Sequence, residues 1–200
     1  MQYAELLTDD AAFSALRDEC NAVFDTNQRL PAKVFHSNFA KFYVFEHGQI
    51  FRQEFAAFLV EIARIFTDVS VNYMTLDPDP VEYYWKKCGF YGLASFERDS
   101  LIENYLGVMT RDGSADSFRA RGGDVGVMWG SSLNWGIFCD RISWDVCLMG
   151  VPFELDKSLM GTIGCMSSDQ MKKYLLSQYQ NKRSVAVDFL KSLYTNYLEL

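Results

Sequence analysis

The fold is decided by the stretch VGVMWGSSLNWGIFCDRISWDVCLM, residues 125–149. It contains three short runs of β-forming residues, Val125–Trp129, Trp135–Cys139 and Trp144–Met149. Gly130-Ser131-Ser132 and Asp140-Arg141 separate these runs, and such residues favour tight turns. Short strands that follow one another over tight turns pair antiparallel, so the stretch predicts a three-stranded meander.

Alternation within the third run predicts which way its side chains face. Successive side chains of a strand point to opposite sides of the sheet. The predicted sets are Trp144, Val146 and Leu148 on one side, and Asp145, Cys147 and Met149 on the other.

Helical patterns lie on both sides of the meander. Thr8, Asp9 and Asp10 supply oxygens that can cap a first helix, and residues 49–66 carry a broad apolar stripe at helical spacing. Ser168 and Ser184 are placed to cap two helices near the end of the chain. Residues 27–48 and 153–166 fit no single pattern and are left unassigned.

The part of the chain between the second helix and the meander alternates between strand and helix patterns. The predicted features are strands at Val69–Met74 and Phe90–Phe96, a helix capped by Asp79 and ended by Gly89, and a helix beginning at Ser100. Helices lead, strands gather in the middle and helices close the chain. This order predicts an α+β fold whose central antiparallel sheet (the meander around residues 125–149) is packed with helices from both ends. We expect residues 1–200 to form a single domain.

The charge balance favours some partners over others. The net charge is −7, and lysines and arginines form no long cluster. Nucleic-acid binding needs clustered cations against the phosphates, so a nucleic-acid partner is disfavoured. An acidic surface suits a basic protein partner instead, whereas the oligomeric state is left open by the sequence.

The cysteines and the absence of apolar runs concern metals, membranes and location. The five cysteines lie far apart and include no C-x-x-C pair, so neither a metal nor another cofactor is predicted. No stretch approaches 18 apolar residues, and the N-terminus lacks the pattern of a signal peptide. We therefore expect a soluble, cytoplasmic protein with reduced thiols and no membrane partner.

The chain has only two histidines, His36 and His47, so a histidine-based mechanism would have to use one of them. A small hydrolase or transferase would use one of them as a base, with a carboxylate such as Asp140 nearby. The motifs G-x-S-x-G and H-E-x-x-H are absent. Catalysis is therefore kept as the alternative function.

The most unusual composition lies in residues 129–144, where three tryptophans fall close to an Asp-Arg pair. Tryptophan and arginine are the residue types that dominate binding hot spots. The candidate binding residues are Trp129, Trp135, Asp140, Arg141 and Trp144, with Arg119 and Arg121 from the neighbouring polar loop at residues 111–124. The competing interpretation places Trp135 and Trp144 in the core and makes Asp140-Arg141 a hairpin turn.

The run from Trp135 to Arg141, W-x-I-x-x-D-R, lies in a strand-rich centre of a small acidic chain. In this general style the sequence resembles bacterial immunity proteins, which neutralise toxins, although it carries no motif diagnostic of a family. The favoured function is therefore a protein-binding role, immunity-type or regulatory, through an acidic and aromatic surface.

Overall fold

The centre of the protein is an antiparallel sheet of six strands. The structure is a computed structural model that describes residues 6–109 and 124–198. Its strands are Lys41–Glu46 (β1), Ser70–Asp77 (β2), Leu93–Glu97 (β3), Val125–Gly130 (β4), Gly136–Asp140 (β5) and Val146–Val151 (β6). Their order across the sheet is β1-β6-β5-β4-β2-β3, and every neighbouring pair is antiparallel. The predicted α+β fold with a central antiparallel sheet is confirmed.

The predicted meander forms the middle of this sheet. Strands β4, β5 and β6 are adjacent, and Phe138 lies opposite both Val127 and Leu148. Strand β1 extends the sheet beyond β6, and β2 and β3 extend it beyond β4.

Helices from both ends of the chain cover the sheet. They are Asp10–Val23 (α1), Gln53–Ile65 (α2), Lys86–Cys88 (α3), Leu101–Met109 (α4), Lys157–Thr162 (α5), Ser168–Gln178 (α6) and Arg183–Leu193 (α7). Shorter turns of 3-10 helix occupy His47–Phe51, Arg98–Ser100 and Gln180–Lys182, and π-helical turns occupy Pro80–Trp85 and Tyr194–Leu198. Within the described residues, no helix is both long and apolar enough to cross a membrane.

Two hydrophobic cores lie on opposite faces of the sheet. The first packs α2, α4 and α5 on one face, with Phe55, Tyr105 and Met160 as buried members. The second packs α1, α6 and α7 on the other face, with Phe13, Leu175 and Phe189 as buried members. Strand β6 serves both: Cys147 and Met149 belong to the first core, and Val146 and Leu148 to the second, as the alternation predicts.

Of the predicted helix caps, Asp9 and Asp79 are present, whereas Ser184 lies within α7 and is not its cap. The Asp9 carboxylate accepts a hydrogen bond from the Ala12 amide at 2.7 Å and so caps α1. The Asp79 carboxylate accepts from two amides of the π-helical turn, and Gly89 ends α3 in the left-handed region at φ 76°. The cap of α6 is Ser167 and not Ser168. The predicted position is wrong by one residue because Gln170, three residues after Ser167, completes a capping box with it.

The unassigned segments contain one strand and one short helix. Strand β1 lies in residues 27–48, and α5 lies in residues 153–166. The run Phe42-Tyr43-Val44-Phe45 shows no alternation of polar and apolar residues. A strand buried on both faces does not need that alternation, so its pattern resembles that of a buried helix.

Candidate protein-binding site

Trp129 and Trp135 lie inside the protein. Both side chains are 0% exposed. Trp129 belongs to the core on the α1 side, and Trp135 belongs to the core on the α2 side. The expectation of exposed aromatic residues is therefore wrong for these two tryptophans, because helices cover both faces of the central strands. The core interpretation, which named Trp135 and Trp144, applies to Trp135, and Trp129 is buried as well.

The indole of Trp135 binds a buried carboxylate that the sequence analysis missed. Asp68 is 0% exposed, and it accepts hydrogen bonds from Trp135 Nε1 at 2.7 Å and from the Ser132 amide at 2.6 Å. A Cβ atom on Gly130 would lie 2.1 Å from Asp68 Oδ2, so only glycine leaves room for the carboxylate. Asp68 joins the segment between α2 and β2 to the turn between β4 and β5.

Trp144 is the tryptophan of the segment that reaches the surface. It is half-buried in the turn between β5 and β6 and stacks on Phe189 of α7, with ring centroids 3.7 Å apart. Tyr179 packs against it at 5.3 Å. In the same turn, Arg141 is exposed and Ile142 is 61% exposed. This turn therefore offers a fixed aromatic ring beside an exposed aliphatic side chain.

Carboxylates collect at the end of the sheet where this turn lies. We call this group the acidic end: Glu46 and Asp77 close β1 and β2, Asp140 closes β5, and Asp124 and Asp145 precede β4 and β6. Val125 lies opposite Asp77 and Asp140, and Val146 lies opposite Asp140 and Glu46. The row crosses five neighbouring strands, a span of about 19 Å at the usual strand spacing.

Two arginines, Arg29 and Arg141, place positive charge near the acidic end. In the part of the chain that the structure describes, none of its five carboxylates takes part in a salt bridge. Asp145 accepts a hydrogen bond from the Tyr174 hydroxyl at 2.9 Å. Partial burial raises the pKa of Asp124; the Arg141 charge opposes the shift, and the Asp77 charge adds to it.

Asp140 is the buried member of the acidic end. Its Oδ1 atom accepts a hydrogen bond from the Ser143 amide at 2.8 Å, whereas its buried Oδ2 atom has no hydrogen-bond partner among the described residues. Burial raises the pKa of this carboxyl, and the bonds from Ser143 and the Arg29 charge oppose the shift. A buried acceptor without a donor is rare in proteins, because leaving it unbonded costs free energy.

The two histidines lie in different surroundings. His36 is exposed, and its amide donates to the Val23 carbonyl at 2.9 Å. His47 is 2% exposed and packs edge-on against Phe51. Four of the surface cavities lined by described residues have volumes of about 300 to 460 Å³, and neither histidine lines any of these four. The cavities therefore give no support to a histidine-based hydrolase or transferase.

Two further expectations concern the polar loop and metals. Arg119 and Arg121 lie outside the described residues, as does the predicted loop at 111–124 except for Asp124. Within residues 6–109 and 124–198, no group of three or more His, Cys, Asp or Glu side chains is arranged to hold a metal ion.

Comparison with known proteins gives no relative. No protein-family model, no curated protein and no solved structure matches this chain.

Proposed function

We propose that this protein binds a basic segment of a partner protein at the acidic end, in an immunity-type or regulatory role. The observation that carries the proposal is the row of carboxylates across five strand ends, none of which has a salt-bridge partner among the described residues. Like charges held close together repel one another. A partner that brings lysine or arginine side chains relieves this repulsion and gains attraction on approach.

The turn between β5 and β6 would supply the apolar part of the contact. Ile142 is 61% exposed, and Trp144 stands beside it, held by Phe189 and Tyr179. An aromatic ring that is already fixed loses little conformational freedom when a partner covers it. Interfaces of this kind combine an apolar anchor with a charged rim, which describes Trp144 and the carboxylates around it.

The charges favour rapid association as well as choice of partner. The chain carries a net charge of −7, and the acidic end concentrates five acidic groups in one region. A concentrated field of one sign steers an oppositely charged protein toward it, and salt weakens the effect. Immunity-type inhibition is the most specific form of the proposal: the basic surface of a toxin would then be the surface that is covered.

The test measures binding of a basic peptide to variants with matched charges. The probe is a fluorescein-labelled peptide of four lysines and two leucines, and the readout is fluorescence anisotropy at low salt. We expect the double variant Asp77→Asn, Asp145→Asn to bind about fivefold more weakly, because each removed contact is worth up to about 1 kcal/mol. Asparagine suits position 145, where φ is 53°.

The control changes the net charge equally at the other end of the sheet. Glu97 lies opposite Ser70, the residue at the far end of β2 from Asp77, and Asp99 follows it. The double variant Glu97→Gln, Asp99→Asn should bind the peptide within twofold of the unchanged protein. Equal weakening in both double variants would show that only the net charge matters. That result, or a peptide that fails to bind at all, would refute the proposal.

A further inference from the structure

A cavity of about 460 Å³ lies on the α1 side of the sheet. Its walls come from four parts of the chain: α1, the loop that follows α1, strand β2, and the π-helical turn that begins at Pro80, together with the cap of that turn. Arg17 and Asn21 are one helical turn apart on α1 and both line it, as does Arg29 from the loop. Two guanidinium groups thus border one cavity. None of the residues of the acidic end lines this cavity.

The arginines retain unused hydrogen-bond donors. Arg29 donates from one terminal nitrogen to the carbonyls of Thr26 and Gln28, at 2.9 and 2.8 Å. These bonds fix the plane of its guanidinium group and leave its other nitrogens without a described bond. The Arg17 side chain has no hydrogen bond or salt bridge to the other described residues. An arginine can donate five hydrogen bonds, so most of the donors at this cavity are unused.

The acidic side chains of the cavity already have partners. Asp79 Oδ1 accepts from the amides of Val81 and Glu82, at 2.8 and 2.7 Å. Glu82 Oε2 lies 2.6 Å from Lys86 Nζ. These contacts partly compensate both negative charges. The cavity therefore has more free hydrogen-bond donors than free acceptors, and most of these donors belong to the two arginines.

We propose that this cavity binds a small organic acid through Arg17 and Arg29. The ligand would present an anionic group rich in oxygen, a carboxylate or a phosphate, to the guanidinium groups. Arginine recognises both groups by paired, charge-assisted hydrogen bonds. The apolar side chains of the lining, Met74, Leu76, Pro80 and Val81, would contact the organic part of the ligand. Seven of the eleven lining residues are polar or charged, so polar contacts would dominate the site and the apolar ones would add to them.

The experiment titrates three probes into the protein at constant ionic strength, with chloride as the balancing anion. The probes are phenyl phosphate, benzoate and inorganic phosphate, and the readout is the movement of amide signals in nitrogen-15 NMR spectra. We expect saturable binding of phenyl phosphate or benzoate, with the largest shifts around residues 26–29 and 79–82. Inorganic phosphate should bind at least threefold more weakly than phenyl phosphate, because it has no apolar part. The tighter of the two aromatic acids identifies the preferred anionic group.

Two variants separate a specific site from a general charge effect. Arg17→Gln should weaken the binding of the tighter aromatic acid about tenfold, because a hydrogen bond to a charged group is lost. Arg17 is exposed, so the substitution leaves the fold intact. Arg64→Gln is the control, since Arg64 is an exposed arginine that pairs with Glu61 on α2, and it should change the affinity less than twofold. Equal affinities of Arg17→Gln and the unchanged protein, equal weakening by both variants, or no binding of any probe would overturn the proposal.

Discussion

The Asp68 carboxylate accepts hydrogen bonds from two groups that lie 64 and 67 residues away in the chain. Both bonds are made where the carboxylate is fully buried. A buried carboxylate is costly unless hydrogen bonds replace the water it has lost. The two donors, an indole N–H and a backbone amide, would also cost free energy if they were left without an acceptor. Asp68 and Trp135 therefore depend on each other.

Replacing Asp68 with alanine should destabilise the protein by about 3 kcal/mol, because the buried Trp135 N–H and the half-buried Ser132 amide lose their acceptor. Asp188→Ala is the matched control: this aspartate is exposed on α7, and its loss should change the free energy of unfolding by less than about 0.5 kcal/mol. Urea denaturation followed by far-ultraviolet circular dichroism measures both. An Asp68→Ala protein as stable as the control would contradict the role assigned to this carboxylate.

The sequence alone could not show which of the three tryptophans in residues 129–144 reaches the surface. Trp129, Trp135 and Trp144 share one segment and similar neighbours in the chain. Their surroundings are decided by α1, α2 and α7, which lie far from them in sequence. The sequence did not indicate the buried role of Asp68 for a related reason. Its hydrogen-bond partners are far away in the chain, and an aspartate that follows a helix is common.

Elements were predictable where their signals are local. Caps and apolar stripes predict α1 and α2, and turn residues predict β4, β5 and β6. Strand β1 was not predictable, because a strand covered on both faces has no alternating pattern. The predicted start of α6 was wrong by one residue, because two neighbouring serines, Ser167 and Ser168, can both act as the cap.

Close packing between strands and aromatic rings depends on glycine at several strand positions. Gly150 in β6 leaves space for the Phe39 ring, since an added Cβ would lie 2.2 Å from the ring. Gly136, directly opposite Gly150, leaves space for Phe24 in the same way, at 2.6 Å. The rings of the loop that follows α1 can therefore lie directly on the backbone of the meander.

Gly150→Ala should destabilise the protein by about 2 kcal/mol, because the added methyl group overlaps the Phe39 ring in a packed core. Gly161→Ala is the control: Gly161 lies in α5 with no atom within 4 Å of the added Cβ. Alanine there should stabilise the protein by about 0.5 to 1 kcal/mol, from helix propensity. Thermal unfolding monitored by circular dichroism compares the two variants. Equal melting temperatures of the Gly150→Ala and Gly161→Ala proteins would refute the packing argument.

At the scale of the whole molecule, the sheet topology brings together charges that are scattered in the sequence. The members of the acidic end range from Glu46 to Asp145, and only the strand order places them side by side. The sequence predicted a negative net charge and a basic partner, but it could not locate the surface. Asp140 was selected as a binding residue, and the structure places it at the buried centre of this row.

The buried carboxyl of Asp140 should give the stability of the protein an unusual pH dependence. Its pKa in the folded protein is raised above the ordinary value of 3.8, so the folded state binds this proton more tightly than the unfolded state. The stability from Asp140 is then fully present below pH 3.8 and is lost as the pH rises through the raised pKa. Near neutral pH the ionised carboxylate is buried with one oxygen unbonded, which is unfavourable.

Asp140→Asn removes this titration while keeping an oxygen that can accept from the Ser143 amide. The free energy of unfolding of the unchanged protein, minus that of Asp140→Asn, should therefore become more positive as the pH falls from about 7 toward about 4, in the direction that linkage requires. Urea denaturation of both proteins at several pH values gives this difference, and other titrating groups cancel in it. Asp188→Asn, the same substitution at an exposed residue of α7, serves as the matched control. The difference between the unchanged protein and Asp140→Asn should not stay constant or become more negative as the pH falls. Either result would show that the pKa of Asp140 is not raised, and would refute the claim that this carboxyl is buried in a way that disfavours its charge.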